Sequence, residues 1–546
     1  FKHGSSRYGE ERFKAYLAMN ANKRTGFGFN IDYIYGRGIY QNQSTAMFNG
    51  NLFFYHLGDK YNAHFSFIND NLKVAENGGI TDDRYITAPL DMAQGGRTYS
   101  NGEIPVNLSN IWNHNRGYHA FLTHRYNVGF YRENPDKKDT VNTEIFVPVT
   151  SFMHTVKVDL NKREYISKDE AQNKKYFNNN YLADIQFDET KQTSIKNTVG
   201  IQLREGFNKW AKAGLTAFAS HEYRQYTMTD TITGTPGQRI PTKYTENTIT
   251  VGGQLIKEQG RTLHYNATGE VAIAGEDVGQ FTLEGNGNLN FKLFNDTVRL
   301  EANAYIKDLN PTFFFRHFHS KHYWWDNDDL SKIMRTRIEG KLSIDRWKTQ
   351  LKVGIENIKN YTYLDNTSVK QTTSSESGTA VSYLNDVKVA QCSDNIQIFS
   401  ASLRQDFKLG ILHLDNEITY QKSSNQNVLP LPELNLYHNL YIRFGLAKKV
   451  LKVELGADVR YFTQYYAPDY APAIGQFYLQ NEATKYKLGA YPLINGYVNI
   501  HLKRTRLFVE MYNILQGQGE KSYFLVPHYP LNPRTLKIGL SWNFFD

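Results

Sequence analysis

The sequence is poor in the features that mark a disulfide-stapled, nucleic-acid-binding or helical membrane protein. It has one cysteine, Cys392, so no internal disulfide forms and a cysteine-stapled fold is excluded. No uninterrupted apolar run reaches about 18 residues, which excludes a transmembrane helix on length grounds. A β-barrel stays open, because its strands need apolar residues only at alternate positions. The start, FKHGSSRYGEERFKAYL, has neither a basic end nor an apolar stretch before a small-residue cleavage site. The expectation is therefore a leader already removed, or a chain that begins part-way through a gene product. Basic and acidic residues number 63 and 54, a net charge of +9 without the basic block that signals nucleic acid.

What is abundant is aromatic. Phe, Tyr and Trp make up 14% of the chain while mean hydropathy is only -0.57, so large apolar side chains are spaced by polar ones. The spacing is two. In the closing RTLKIGLSWNFFD, Leu536, Ile538, Leu540, Trp542 and Phe544 alternate with Lys537, Gly539, Ser541 and Asn543. GFGFNIDYIY places Phe27, Phe29, Ile31, Tyr33 and Tyr35 on one face. VRLEANAYIK sets Leu300 and Ile306 against Arg299, Glu301, Asn303 and Lys307, and LKVELGADVRY sets Val453 and Leu455 against Lys452, Glu454, Asp458 and Arg460.

Connections alternate in length. Tight turns at 20–26, 57–61, 293–297, 345–348, 408–410, 447–452 and 502–506 separate long polar stretches near 74–113, 161–192, 308–330, 364–393 and 463–487. That is the pattern of an up-and-down antiparallel barrel with short periplasmic turns and long extracellular loops. About 21 strands are expected, each with its connection taking about 26 residues, against roughly 10 needed to span. Helical periodicity is not expected, and no composition shift divides the chain. Residues 1–546 therefore read as one large transmembrane barrel of about 20–22 strands, with an N-terminal part of the mature protein expected upstream. Barrels of this kind close with an even number, so the expectation is at least one further strand before Phe1, or one strand too many or too few in the count.

NIDYIYGRGIYQNQ (30–43), ENGGITDDRYITAP (76–89), FLTHRYNVGFYRE (121–133), FVPVTSFMHT (146–155) and SIKNTVGIQLREGFNKWAKAGLTAF (194–218) resemble the "putative porin" family of Bacteroidota outer membranes. The likeness extends over essentially the whole chain. The tail from GYVNIHLKRTRLFVEMYNIL onward resembles the closing strands of TonB-dependent receptor barrels. The resemblance implies an outer-membrane location and a transport role, and it carries over no catalytic residues. It also implies an aromatic assembly signal near the end, here Trp542, Phe544 and Phe545, although Asp546 follows.

Other constellations are weaker. RHFHSKHYWWDNDD offers nitrogens from His317, His319 and His322 and hard oxygens from Asp326, Asp328 and Asp329. Neither spacing matches a metal motif, and Trp324 and Trp325 read as rim aromatics beside a solvated loop, so no metal or cofactor is expected. Loop aromatics suit sugar stacking, but an aromatic girdle accounts for them without a ligand. GQGEKS (516–521) lacks the setting of a phosphate loop and reads as a flexible turn, and the absence of G-x-S-x-G argues against a membrane esterase. The pore-lining candidates are Arg299, Glu301, Asn303, Lys307, Lys352, Glu356, Lys452, Glu454, Asp458 and Arg460.

Three functions fit. The first is a diffusion channel for small hydrophilic solutes, constricted by inward-folded loops. The second is the barrel of a TonB-dependent transporter whose plug lies upstream, since barrels near 22 strands are typically plugged. The third is a scaffold docking surface lipoproteins. Expected partners are outer-membrane lipid and lipopolysaccharide, the outer-membrane assembly machinery and possible surface lipoproteins, with no nucleic acid and no enzymatic activity.

Overall fold

The computed structural model describes residues 2–3, 9–134, 144–182, 185–208, 211–231, 239–293, 296–375 and 378–543. Alternating sequence becomes an antiparallel wall. Strands of 8 to 24 residues pair with their neighbours in chain order, from Glu10–Asn22 round to Thr535–Trp542. The ring closes through Lys2–His3, which pairs with Glu11 and Arg12 on one side and with Ile538 and Gly539 on the other. Counting that short segment, the sheet has 22 strands. The odd count expected from alternation is thus corrected by a two-residue strand, too short to show any period.

Two ends differ as expected. At one end connections are tight: 23–24, 58–60, 345–348, 410–411, 447–450 and 503–504. At the other, where 37–44 and 276–280 are short, six are long: 76–110, 168–186, 310–332, 360–395, 463–492 and 513–534. The last of these was not anticipated; GQGEKS lies inside a 22-residue loop carrying its own small hairpin, Phe524–Val526 with Tyr529–Pro530. Three short helices, Arg84–Thr87, Glu170–Tyr176 and Phe313–Arg316, also lie in the long loops, where none was expected.

The wall has an apolar outside and a polar inside. On the closing strand Leu536, Ile538, Leu540 and Trp542 are all exposed on the exterior, whereas Lys537 points inward to Glu10 at 3.4 Å. Leu300, Val353 and Leu455 likewise belong to the exposed exterior. Inward glycines are covered by aromatic rings from the next strand: a Cβ at Gly28 would lie 2.4 Å from the Phe53 ring, and one at Gly539 2.1 Å from that of Phe508. Such pairs keep the backbone of a curved wall dry without a side chain of its own.

Candidate functional site

The opening at the loop end is where the chain departs from a plain tube. Loops 76–110 and 463–492 are separated by eight strands round the ring, as are loops 168–186 and 360–395. Adjacent strands lie about 4.8 Å apart, so loops that far apart cannot meet along the wall. They meet across the mouth. Tyr470 donates to Glu76 at 2.9 Å, and Tyr486 donates to Asp83 at 2.5 Å, with His528 on the same carboxylate at 3.0 Å. Asn178 N–H donates to Asn385 O at 3.0 Å, and Leu479 N–H to Leu364 O at 3.0 Å.

Two apolar cores hold these crossings together. One gathers Tyr165, Phe177, Phe318, Tyr323, Ile474 and Tyr478; the other gathers Ile80, Ile86, Ile104, Leu488, Tyr491 and Phe524. Loop 463–492 contributes to both. Several polar groups inside the cores are satisfied locally, although the Tyr165 hydroxyl is buried without a partner among the described residues. Asn385 donates to Tyr478 Oη at 2.6 Å and accepts from the Tyr323 hydroxyl, while buried Lys321 holds Glu170 and donates to Ile185 O at 2.7 Å. His322 stacks on Phe177 at 3.8 Å and gives its Nδ1 hydrogen to Asn179 O at 2.8 Å; burial pushes its pKa down to about 3, so the ring stays neutral. Glu76, where loop 76–110 leaves the wall, is pushed up to about 7 by burial, against hydrogen bonds from Asn113 and Tyr470 and the charge of Arg163.

Beneath the crossing loops is a cavity of about 430 Å³. Its roof is apolar, from Phe314, Phe318, Trp325 and Ile474; its wall is polar, with Asp70, Asn161, Arg163 and Gln192. Segment 316–329 therefore takes a place other than the one expected. Trp325 is packed against the first core with its Nε1 donating to Phe314 O at 3.0 Å, and Trp324 stacks on His319 at 4.1 Å. These rings fill the mouth and do not sit at the rim, because burial across the opening removes more apolar surface from water than a rim position does. His317 and His319 both hydrogen-bond to Asp326, at 2.9 and 3.0 Å.

The pore-lining candidates form two groups. Arg299, Glu301, Asn303 and Lys307 share a face with Lys352 and Glu356 through the intervening strand Ile333–Ile344. Lys307 pairs with Glu284 at 3.0 Å, Glu301 with Lys341 at 3.4 Å, Lys352 with Glu339 at 3.1 Å, and Glu356 with Arg335 at 2.5 Å; Arg299 reaches Asn290 at 3.4 Å. Arg335, Arg337, Glu339 and Lys341 join this face without having been among the candidates, although RTRIEGK carries them at every second position. The second group stands apart on Leu451–Phe462: Glu454 with Arg443 at 2.6 Å, Asp458 with Asn495 at 3.2 Å, Arg460 over Tyr437, and Lys452 opposite Gly445 and His501. Of the assembly-signal residues, Trp542 ends the exterior row of the closing strand, and Phe544 and Phe545 lie outside the described residues.

The siderophore receptor PirA from Acinetobacter baumannii superposes with a TM-score of 0.62 at 9% identity, over 100% of this chain and 79% of that one. A mutant of the ferric enterobactin receptor PfeA from Pseudomonas aeruginosa gives 0.61 at 11%, over 99% and 79%. The closed form of the ferric-catecholate import receptor Fiu from E. coli K12 gives 0.61 at 10%, over 100% and 81%. At such identities the likeness is one of fold. No curated protein matches the sequence. A family described as "Putative porin" matches residues 1–546.

Proposed function

Because this chain belongs to that "Putative porin" family, we propose that it is a channel through which small hydrophilic solutes diffuse, kept narrow by its own loops. It is a β-barrel of the bacterial outer membrane with a role in transport. The long-loop end then faces outward and the tight-turn end faces the periplasm. One observation carries the proposal: loops from opposite walls share two buried cores across the mouth. A wall of 22 strands leaves a lumen wide enough to leak unless something fills it. Among the described residues the filling is done by the loops, since all of the rest belong to the wall or its turns. The strand number itself favours the second reading, the barrel of a TonB-dependent transporter, because barrels of that width typically carry a plug.

A planar bilayer separates the two. The purified protein should conduct in small or fluctuating steps, and replacing 467–490 with a short Gly-Ser linker should enlarge them, since that loop joins both cores. Selectivity should be weak, because lumen charges alternate in sign and are paired within a Debye length of about 8 Å. A bilayer that stays silent after the loop replacement counts against diffusion and favours the transporter or the scaffold.

A further inference from the structure

We propose that the outer face of strands Ile111–Glu133, Glu144–Ser167 and Phe187–Leu203 is a binding site for the phosphate groups of an anionic outer-leaflet lipid, lipopolysaccharide. The starting point is which residues face out. Asn113 donates to Pro472 O at 2.6 Å, and Arg163 donates to Ala473 O, both in a loop that crosses the interior. Residues 113 and 163 therefore face inward, and Thr190 does too, since it stands opposite Arg163. Alternation without a bulge then places His114, Arg116, Lys162, Glu164, Glu189 and Lys191 on the exterior.

They form two rows. Arg116, Lys162 and Lys191 stand directly opposite one another, and one step further from the membrane stand His114, Glu164 and Glu189. Like charges placed opposite each other destabilise a sheet. Part of that cost is offset diagonally: Glu164 holds Arg116 at 2.5 Å and Lys162 at 2.9 Å, and Glu189 takes Lys162 and Lys191. Three cations on two carboxylates still leave positive charge in excess. Lys73 and Lys168 add to it, their ammonium groups 5.3 and 5.8 Å from the Trp112 ring.

The height fits a headgroup. Below the cation row, on the same exterior parity, come Tyr118 and Leu160, then Leu122 and Ile195, then Tyr126 and Phe152, all exposed. Ten residues separate Tyr126 from Arg116. At about 3.4 Å per residue and a tilt of about 40° that is about 26 Å along the normal, against an apolar band about 25 Å tall. The cations thus stand where acyl chains end and phosphates begin. The carboxylates hold them in place from the far side.

The test uses the full chain, purified and passed through micelles of lipopolysaccharide, with retained lipid counted by mass spectrometry after gel filtration. Each cation near an anionic surface contributes about a factor of five in affinity. The triple variant Arg116→Gln, Lys162→Gln, Lys191→Gln should lose retention more than about 10-fold, and the unmodified chain should retain phosphatase-treated lipopolysaccharide no better than that variant does. Millimolar inorganic phosphate should not displace the lipid. Equal retention by the triple variant, equal retention of the dephosphorylated lipid, or displacement by free phosphate would each overturn the site. Should the triple variant fail to give a heat-modifiable barrel, Lys191→Gln alone, the most exposed of the three, should weaken retention about five-fold, and no change there overturns the proposal as well.

Discussion

Changing Glu76 to Gln should weaken the pH dependence of the closure of the mouth. Glu76 sits where loop 76–110 leaves the wall, nearly inaccessible to solvent, accepting from Asn113 at 2.6 Å and from Tyr470 at 2.9 Å. Its pKa rises from 4.5 to about 7 in the closed mouth because burial disfavours the carboxylate. The closed state therefore binds the proton more tightly than an opened one, in which Glu76 is solvated. Its contribution is fully present below the ordinary carboxylate range and is lost as pH rises from about 4.5 through about 7. A displacement of that size corresponds to about 3 kcal/mol, or about two orders of magnitude in the opening equilibrium. Hydrogen exchange at the amides of 77–80 and 471–475 reads this, with intrinsic exchange divided out. Protection should fall between pH 5 and pH 8 in the unmodified chain and fall less steeply in Glu76→Gln, whose amide oxygen still accepts both hydrogen bonds. A smaller slope remains from Asp469, raised by burial, and from His528, where burial is outweighed by Asp83 and the pKa is raised. Identical pH slopes in the two proteins would refute the role of the buried carboxyl.

Other perturbations test the wall. Arg at Leu300, Val353 or Val453 should impair assembly, at a cost of about 2–4 kcal/mol for a charge near the bilayer midplane, whereas Arg at Asn303 or Lys352 should not. Heat-modifiable migration on a gel reads the difference, and equal tolerance at both sets would reverse the inside and outside of the barrel. Deleting 536–546 should give no membrane-inserted product, because it strips Thr505–Tyr512 and Lys2–His3 of their shared partner and leaves backbone groups unsatisfied in hydrocarbon. Folded protein recovered from that truncation would mean that the ring closes elsewhere. Gly539→Val should lower yield sharply, since the new side chain meets the Phe508 ring; unchanged thermal stability would show that the ring moves aside freely.

Alternation made the wall legible, because a period of two is local and each strand repeats it. The inward rows on Asp296–Leu309 and Leu451–Phe462 could be named from that alone. The crossing of the mouth was foreseeable only as a need, since a wide lumen must be filled, and its residues were not. Phe177 against His322, or Tyr478 with Asn385, joins positions far apart in sequence and governed by no period. One signal was available: Phe313, Phe314, Phe315, Phe318, Tyr323, Trp324 and Trp325 crowd a loop with no strand pattern, and so many rings without a period point to a packed core. The exterior cation rows were hidden by boundaries. A polar stretch read as loop over 161–192 covers the outer ends of Glu144–Ser167 and Phe187–Leu203, and with them Lys162, Glu164, Glu189 and Lys191.

The shared cores of the mouth bear on how the cell surface looks from outside. A phage or an antibody meets a face whose segments come from opposite walls but are fixed in one another's company, so its epitopes are conformational and a peptide copied from one loop should reproduce them poorly. Selection for escape then acts under constraint: a substitution at Tyr478 or Tyr323 disturbs partners on several loops at once. The hairpin of Val369–Ser375 and Gly378–Leu384 stands apart, with Val369 and Val381 exposed and none of its described residues in either core. Variation among related strains should concentrate there, where a changed side chain alters what is recognised without loosening the closure beneath it.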